Sequence, residues 1–146
     1  MKDVAPPGTS ATDVDATRDV TRRPIAAVDL GTNNCRLLVA RVDGDRFTVV
    51  DSFSRIVRLG EGLERTGKLD EAAVQRTIHA LRICARIMAR HEVAEARCVA
   101  TEACRRASDG EDFVARARLA SGLSLEILDQ ERSEERRVGK ECTLRC

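Results

Sequence analysis

The sequence predicts an α/β fold, in which three antiparallel strands are followed by helix, strand, helix and strand. Three observations carry this. Residues 25–30 (IAAVDL) form a short apolar run broken only by Asp29, which suits a strand buried on both faces. Residues 70–91 place Val74, Ile78, Leu81, Ala85 and Met88 at intervals of three and four, one apolar stripe along a helix. Beyond that helix, strand and helix patterns alternate at 95–101, 110–120 and 123–128.

Composition sets the bounds. With 146 residues there is room for one domain. An apolar share of 42% supports a core, and an aromatic share of 2% makes that core aliphatic. A net charge of +1 gives no reason to expect nucleic acid or an anionic membrane as partner. No apolar run approaches the roughly 20 residues that cross a bilayer, and the N-terminus lacks the apolar stretch of a secretory signal. The cysteines, Cys35, Cys84, Cys98, Cys104, Cys142 and Cys146, form no C-x-x-C pair, and no histidine stands at metal-ligand spacing from them. Four sit in apolar strand or helix contexts, where free cysteine behaves as a small hydrophobe. A reducing, cytoplasmic setting is expected.

Taken in order, residues 1–23 hold few large apolar side chains and read as a disordered tail. The apolar strand 25–30 runs through Asp29 into Gly31-Thr32-Asn33-Asn34, and a second strand follows at 36–41. A carboxylate at the end of a buried strand needs a partner or a metal. The four loop residues offer flexible backbone, hydroxyl and amide groups, and N–H donors able to form an anion nest. Together they suit a phosphate and its magnesium. An ordinary hairpin in which Asp29 caps the turn remains the alternative. Asp43-Gly44 between apolar runs marks a second hairpin, leading to a third strand at 47–53. The connector 55–69 contains Gly60, Gly62 and Gly67 and is expected to lack regular structure. Its Arg58 faces either a phosphate or solvent.

Asp70 caps the long helix. Arg76, Arg82, Arg86 and Arg90 lie mostly off its apolar stripe and read as a solvated face, and His79 and His91 are assigned no chemistry. The strand at 95–101 turns at Thr101 into a short helix carrying Arg105, whose guanidinium suits bidentate phosphate contact. In helix 110–120, Phe113, Val114, Ala117 and either Leu119 or Ala120 face inward, and Gly122 ends it.

The run Asp29-Leu30-Gly31-Thr32-Asn33-Asn34-Cys35-Arg36-Leu37-Leu38-Val39 resembles the first phosphate loop of the exopolyphosphatase/guanosine pentaphosphate phosphohydrolase (Ppx/GppA) family. The connector motif at 57–63, the Thr-Gly-x-Leu at 66–69, and Ala100, Thr101, Ala103, Arg105 and Ala107 are similar to further family segments, as is the stretch 125–131. The resemblance implies the first half of an actin-like (ribonuclease H-like) domain. It implies a magnesium-dependent hydrolase that releases terminal phosphate from inorganic polyphosphate or the 5′ phosphate of guanosine pentaphosphate, and that is homodimeric at full length. Carried over by residue, Asp29 helps hold magnesium, Gly31, Thr32, Asn33 and Asn34 cradle phosphate, Arg36 positions the loop and Arg105 clamps phosphate.

The likeness covers residues 24–131. The family continues past this point as Glu-x-Glu-Ala-Arg-Leu, the second glutamate being its general base. Here Glu131 is followed by Arg132, and Ser133 stands at the base position, with Glu134 and Glu135 one and two places late. The motif of the second phosphate loop is absent from the sequence. Residues 132–146 therefore read as a foreign or disordered tail. The expected function is a phosphohydrolase fragment that is inactive alone. A non-catalytic phosphate-binding or interaction module is the alternative. A third candidate, half of a sugar-kinase or chaperone-like ATPase, is disfavoured by the run 33–37 and the Arg105 motif.

Overall fold

The computed structural model describes residues 23–129. The expected tails at 1–23 and 132–146, and with them Glu131, Ser133, Glu134 and Glu135, lie outside the described residues except for Arg23.

Five strands form one sheet in the order β3-β2-β1-β4-β5. Strands β1 (Ile25–Leu30), β2 (Asn34–Asp43) and β3 (Arg46–Ile56) make the antiparallel meander expected from the two turns. The second turn needs only Gly44 and Asp45, with Gly44 at φ 59°. The register of β2 and β3 shifts between Val39 and Ala40, a bulge that leaves Val50 extra. Strand β4 (Glu95–Ala100) lies parallel to β1, and β5 (Leu125–Ile127) parallel to β4.

The connector departs from the expectation of irregular structure. Residues Leu63–Thr66 make a one-turn helix, α1, bounded by Gly62 and Gly67 at φ 76° and 72°. Left-handed glycines on both sides are what permit so short a helix, so the residues that argued against structure are its caps. Helix α2 (Glu71–Arg90) matches the sequence closely. Asp70 accepts the Ala73 N–H at 3.3 Å, and Val74, Ile78, Leu81 and Met88 are buried. The stripe is wider than predicted, because Ala73, Thr77, Ala80 and Cys84 are buried as well. Thr77 meets its polar obligation by donating its hydroxyl to the Ala73 carbonyl at 2.8 Å.

Helices α3 (Glu102–Arg106) and α4 (Gly110–Ser121) follow β4. Between them Gly110 is buried against the Cys104 carbonyl, where a β-carbon would have no room. In α4, Phe113 and Ala117 are buried and Ala120 is half-buried, whereas Leu119 is 89% exposed. Gly122 ends the helix at φ 79°.

The expectation for β1 is corrected as well. Strand β1 is not buried on both faces: Ala26, Val28 and Leu30 are in the core, Ile25 and Ala27 are half-buried, and Asp29 is exposed. The core is aliphatic as expected, and Cys35, Cys84, Cys98 and Cys104 lie in it as free thiols. Cys35 and Cys84 share a hydrogen bond with sulfurs 3.9 Å apart. That bond, together with burial, pushes the Cys84 thiol well above its usual range. Burial raises Cys98 to about 11, and burial with the charges of Asp109 and Glu111 raises Cys104 to about 12. Among the described residues no helix is long and apolar enough to cross a membrane.

Candidate functional site: the first loop and its cleft

Parallel pairing sets Leu30 of β1 beside Ala100 of β4, so both strands deliver the chain to one edge of the sheet. Small-molecule sites of open α/β sheets form outside the carboxyl ends of strands. The Thr101 N–H and hydroxyl both donate to the Leu30 carbonyl, at 3.0 and 3.3 Å, and tie the two ends together.

Loop 31–34 starts there. Gly31 donates to the Asn34 carbonyl at 2.9 Å and closes a tight turn. The connector then grips the loop from outside. Val57 and Arg58 N–H groups both donate to the Asn33 carbonyl, at 2.7 and 3.0 Å, and Gly60 N–H donates to the Thr32 carbonyl at 3.0 Å. Gly60 packs so closely on the Thr32 methyl group that a β-carbon would collide with it. Arg58 is held at φ 49°, an unusual backbone for a side-chain-bearing residue, and its side chain is exposed. The carbonyls of Thr32, Asn33 and Asn34 are thus occupied, while the N–H groups of Thr32 and Asn33 donate to no other described residue. Such unspent donors are what an anion nest requires.

Thr32 also lines a cleft of about 500 Å³. Gly60 and residues 62–65 form a second wall, and Glu102, Ala103 and Arg106 of α3 the third. The segments that follow the two outer walls are fixed to each other. The Ser108 N–H and hydroxyl donate to the Gly67 carbonyl at 2.9 and 3.2 Å, and Leu69 N–H donates to Asp109 Oδ1 at 3.0 Å.

The other expected residues distribute around this centre. Asp29 is exposed on the opposite face of β1 and makes no hydrogen bond or ion pair among the described residues. It stands opposite Arg36 in the ladder. Arg36 is exposed and makes no bond to the loop, which is positioned by Val57, Arg58 and Gly60 instead. Asn34 already belongs to β2. Arg105 does not line the cleft with Thr32: its Nη1 donates to the Leu128 carbonyl at 3.1 Å, towards the chain that follows β5. His91 acquires a partner from outside its helix, Asp51 of β3, at 2.8 Å. That contact, the Ser52 N–H and Arg90 hold the Asp51 carboxyl below the usual range. Among the described residues no group of three His, Cys, Asp or Glu side chains is placed to hold a metal ion.

Sequence reasoning missed the gripping role of the connector and the cleft arginines, Arg65 and Arg106. The connector glycines signal close backbone approach, which Gly60 makes on Thr32, but not which segment is approached.

The profile of the Ppx/GppA phosphatase family matches residues 38–140, starting after the first loop and running past Glu131. The exopolyphosphatase 2 of Mycobacterium tuberculosis (strain H37Rv) is 36% identical over 105 residues, covering 69% of this chain and 33% of its own length. Among solved structures, a Ppx/GppA family member from Aquifex aeolicus superposes with a TM-score of 0.72 at 30% identity, over 75% of this chain and 36% of that one. An exopolyphosphatase from Cytophaga hutchinsonii gives 0.73 at 27% identity, over 77% and 36%. The chain spans about a third of the length of the relatives it matches. The profile covers most of the sequence, and these neighbours share its actin-like architecture, so the chain belongs to the Ppx/GppA phosphatase family.

Proposed function

We propose that the chain supplies the phosphate-binding half of a phosphohydrolase that releases terminal phosphate from inorganic polyphosphate or guanosine pentaphosphate. The observation that carries this is the gripped loop: carbonyls of Thr32 and Asn33 engaged, their N–H groups without an acceptor among the described residues, at the strand edge where such sites form. In this reading Gly31, Thr32, Asn33 and Asn34 cradle the terminal phosphoryl group. Arg105, anchored by one nitrogen on the Leu128 carbonyl, offers its remaining N–H groups to phosphoryl oxygens. Magnesium is held in such sites by one or two carboxylates, waters and substrate phosphates, and Asp29, unpaired among the described residues, fits that modest demand. When bound, the metal would offset charge on the phosphoryl oxygens. The setting is cytoplasmic, and the full-length protein is a homodimer.

The 146 residues are inactive by themselves in this reading. The base position carries Ser133, which has no useful basicity near neutral pH, and general-base help is worth about 10²–10⁴ in rate. That same residue favours a second reading, a non-catalytic phosphate-binding module. Phosphate-release assays separate the two. The chain is expected to show no turnover with magnesium, and Ser133→Glu alone restores none. Replacing everything after Glu131 with a family-type continuation restores it. If the extended protein binds polyphosphate yet stays inert, the module reading stands. Metal-dependent turnover by the 146-residue chain, abolished by Asp29→Ala, points to Glu134 or Glu135 as base.

A further inference from the structure

We propose that Arg76 of α2 is a positioning residue for loop 31–34, acting through the single peptide plane that joins Val57 to Arg58. This role rests on the reading that the loop binds the terminal phosphoryl group.

Every peptide bond among the described residues is trans, so the C=O and N–H of one plane point in opposite directions. The plane between Val57 and Arg58 bridges helix and loop. Its carbonyl accepts from Arg76 Nε at 3.0 Å, and its N–H, that of Arg58, donates to the Asn33 carbonyl at 3.0 Å. Turning the plane over would break both bonds. Arg58 is held at φ 49°, an unfavourable backbone for a residue with a β-carbon, so the plane needs support from outside the connector. A guanidinium is a strong support. Hydrogen bonds from an ionised donor are shorter and stronger than neutral ones, and they polarise the next bond in the chain.

Arg76 also closes the far end of this segment. Its Nη2 donates to Glu61 Oε2 at 2.7 Å, while the Glu61 N–H donates to the Arg58 carbonyl at 3.0 Å. One side chain thus brackets residues 57–61. Gly60, inside the bracket, donates to the Thr32 carbonyl. The opposite end of that carbonyl's plane is the Asn33 N–H, one of the donors offered to the anion. The bracket has a firm base, because Val74, Thr77 and Ile78 beside Arg76 are buried. Arg76 therefore does more than solvate a helix face. Arg82 makes the same kind of bond, from Nε to the Ala120 carbonyl at 3.1 Å, but holds α4 instead of the connector. The two arginines share a helix, a charge and a bond type, and differ in what they hold.

Hydrogen exchange and polyphosphate titration of the 146-residue chain test this, with Arg82→Ala as the matched control. Arg76→Ala is expected to speed exchange at the Val57, Arg58 and Gly60 amides about fivefold or more, and to weaken polyphosphate binding about three- to tenfold. Arg82→Ala is expected to leave those amides unchanged and binding within about twofold. Arg76→Lys keeps the charge but lacks the rigid fork that serves both partners, and is expected to retain most of the defect. Glu61→Ala is expected to weaken binding by about twofold, although removing a negative charge would by itself favour an anion. Thermal unfolding establishes that each variant is folded, and if Arg76→Ala is not, Arg76→Lys carries both readouts. Protection of the three amides that survives loss of Arg76 overturns the role, and the loop still stands as the phosphate site if the parent chain binds. Binding weakened no more by Arg76→Ala than by Arg82→Ala overturns it too. So does full rescue by Arg76→Lys, which would assign the effect to charge alone. A parent chain that binds no polyphosphate ends the phosphate reading and the positioning role with it, whatever the amides do.

Discussion

The two faces of the sheet are finished differently. On one, Ala26, Val28 and Leu30 of β1, Cys35 and Leu37 of β2, and Cys98 and Ala100 of β4 join α2 and α4 in a single core. On the other, Ala27, Asp29, Arg36 and Leu38 reach solvent. Strand β1 shows what separates them. Its buried positions alternate Ala-Val-Leu, whereas the positions between end in a carboxylate. The apolar run 25–30 conceals a period of two, because Ala27 is small enough to suit either environment. The covered face makes the fold, and the open face carries Asp29, the residue expected to meet magnesium.

This contrast predicts unequal costs for similar substitutions. Leu81 is fully buried in α2, so Leu81→Ala is expected to cost about 2–5 kcal/mol, transfer and cavity together. Leu38→Ala, on the half-covered face, is expected to cost less than about 1 kcal/mol. Denaturant unfolding of both variants gives the difference, and comparable losses would mean that the open face contributes as much to the fold as the covered one.

The same contrast bears on association. Strand β3 is a sheet edge, and Phe47, Val49 and Ile56 are 43%, 53% and 65% exposed. Exposed edges with apolar side chains pair with other chains. The 146-residue chain is therefore expected to self-associate at micromolar concentration. Val49→Lys is expected to shift it towards monomer in sedimentation velocity while changing stability by no more than about 0.5 kcal/mol. Cooperative unfolding of an unsubstituted monomer at that concentration would show that the open face and edge need no cover.

Much of this was legible in the sequence, for identifiable reasons. Helix α2 was readable to within a residue at each end, because Asp70 caps it and its stripe repeats over about four turns. The meander was readable from the turn residues alone. The helix α1 was hidden because a helix of one turn has no period to detect and its capping glycines read as breakers. In α4, Leu119 and Ala120 were equally good candidates by spacing. The choice fell to Ala120, so the larger side chain is the one left in solvent. At the site, loop 31–34 was legible from its residue types. The grip by Val57, Arg58 and Gly60 was not, since it runs through backbone atoms that every residue possesses. Arg105 was singled out and its neighbour Arg106 was not, yet Arg106 is the one in the cleft with Thr32. Direction around a single helical turn, a matter of about 100° per residue, decides between them.

The smallest expected effect lies on the solvent side of the covered face, where Glu71 at the start of α2 meets Arg116 of α4 in two hydrogen bonds of 2.8 and 2.9 Å. Arg116 first, and then Gln75, hold the Glu71 carboxyl down to about 2 from its usual 4.5. Because the folded state binds this proton less readily than the unfolded chain, the pair contributes stability above pH 4.5 and loses it as the pH falls through about 2. Both side chains are exposed to solvent, so counterions screen the attraction and the contribution stays far below that of Leu81. The difference in unfolding midpoint between the parent chain and Glu71→Gln isolates it from Asp51, which titrates in the same acidic region and is common to both. That difference is expected to be present at neutral pH, to shrink between pH 4.5 and about 2, and to fall at high salt. A difference that persists unchanged to the acid limit, or resists salt, would assign the effect to helix propensity or packing at position 71. The ion pair would then have no part in holding α2 to α4, which would fall to the buried side chains and to the hydrogen bond of 3.1 Å that Arg82 Nε donates to the Ala120 carbonyl.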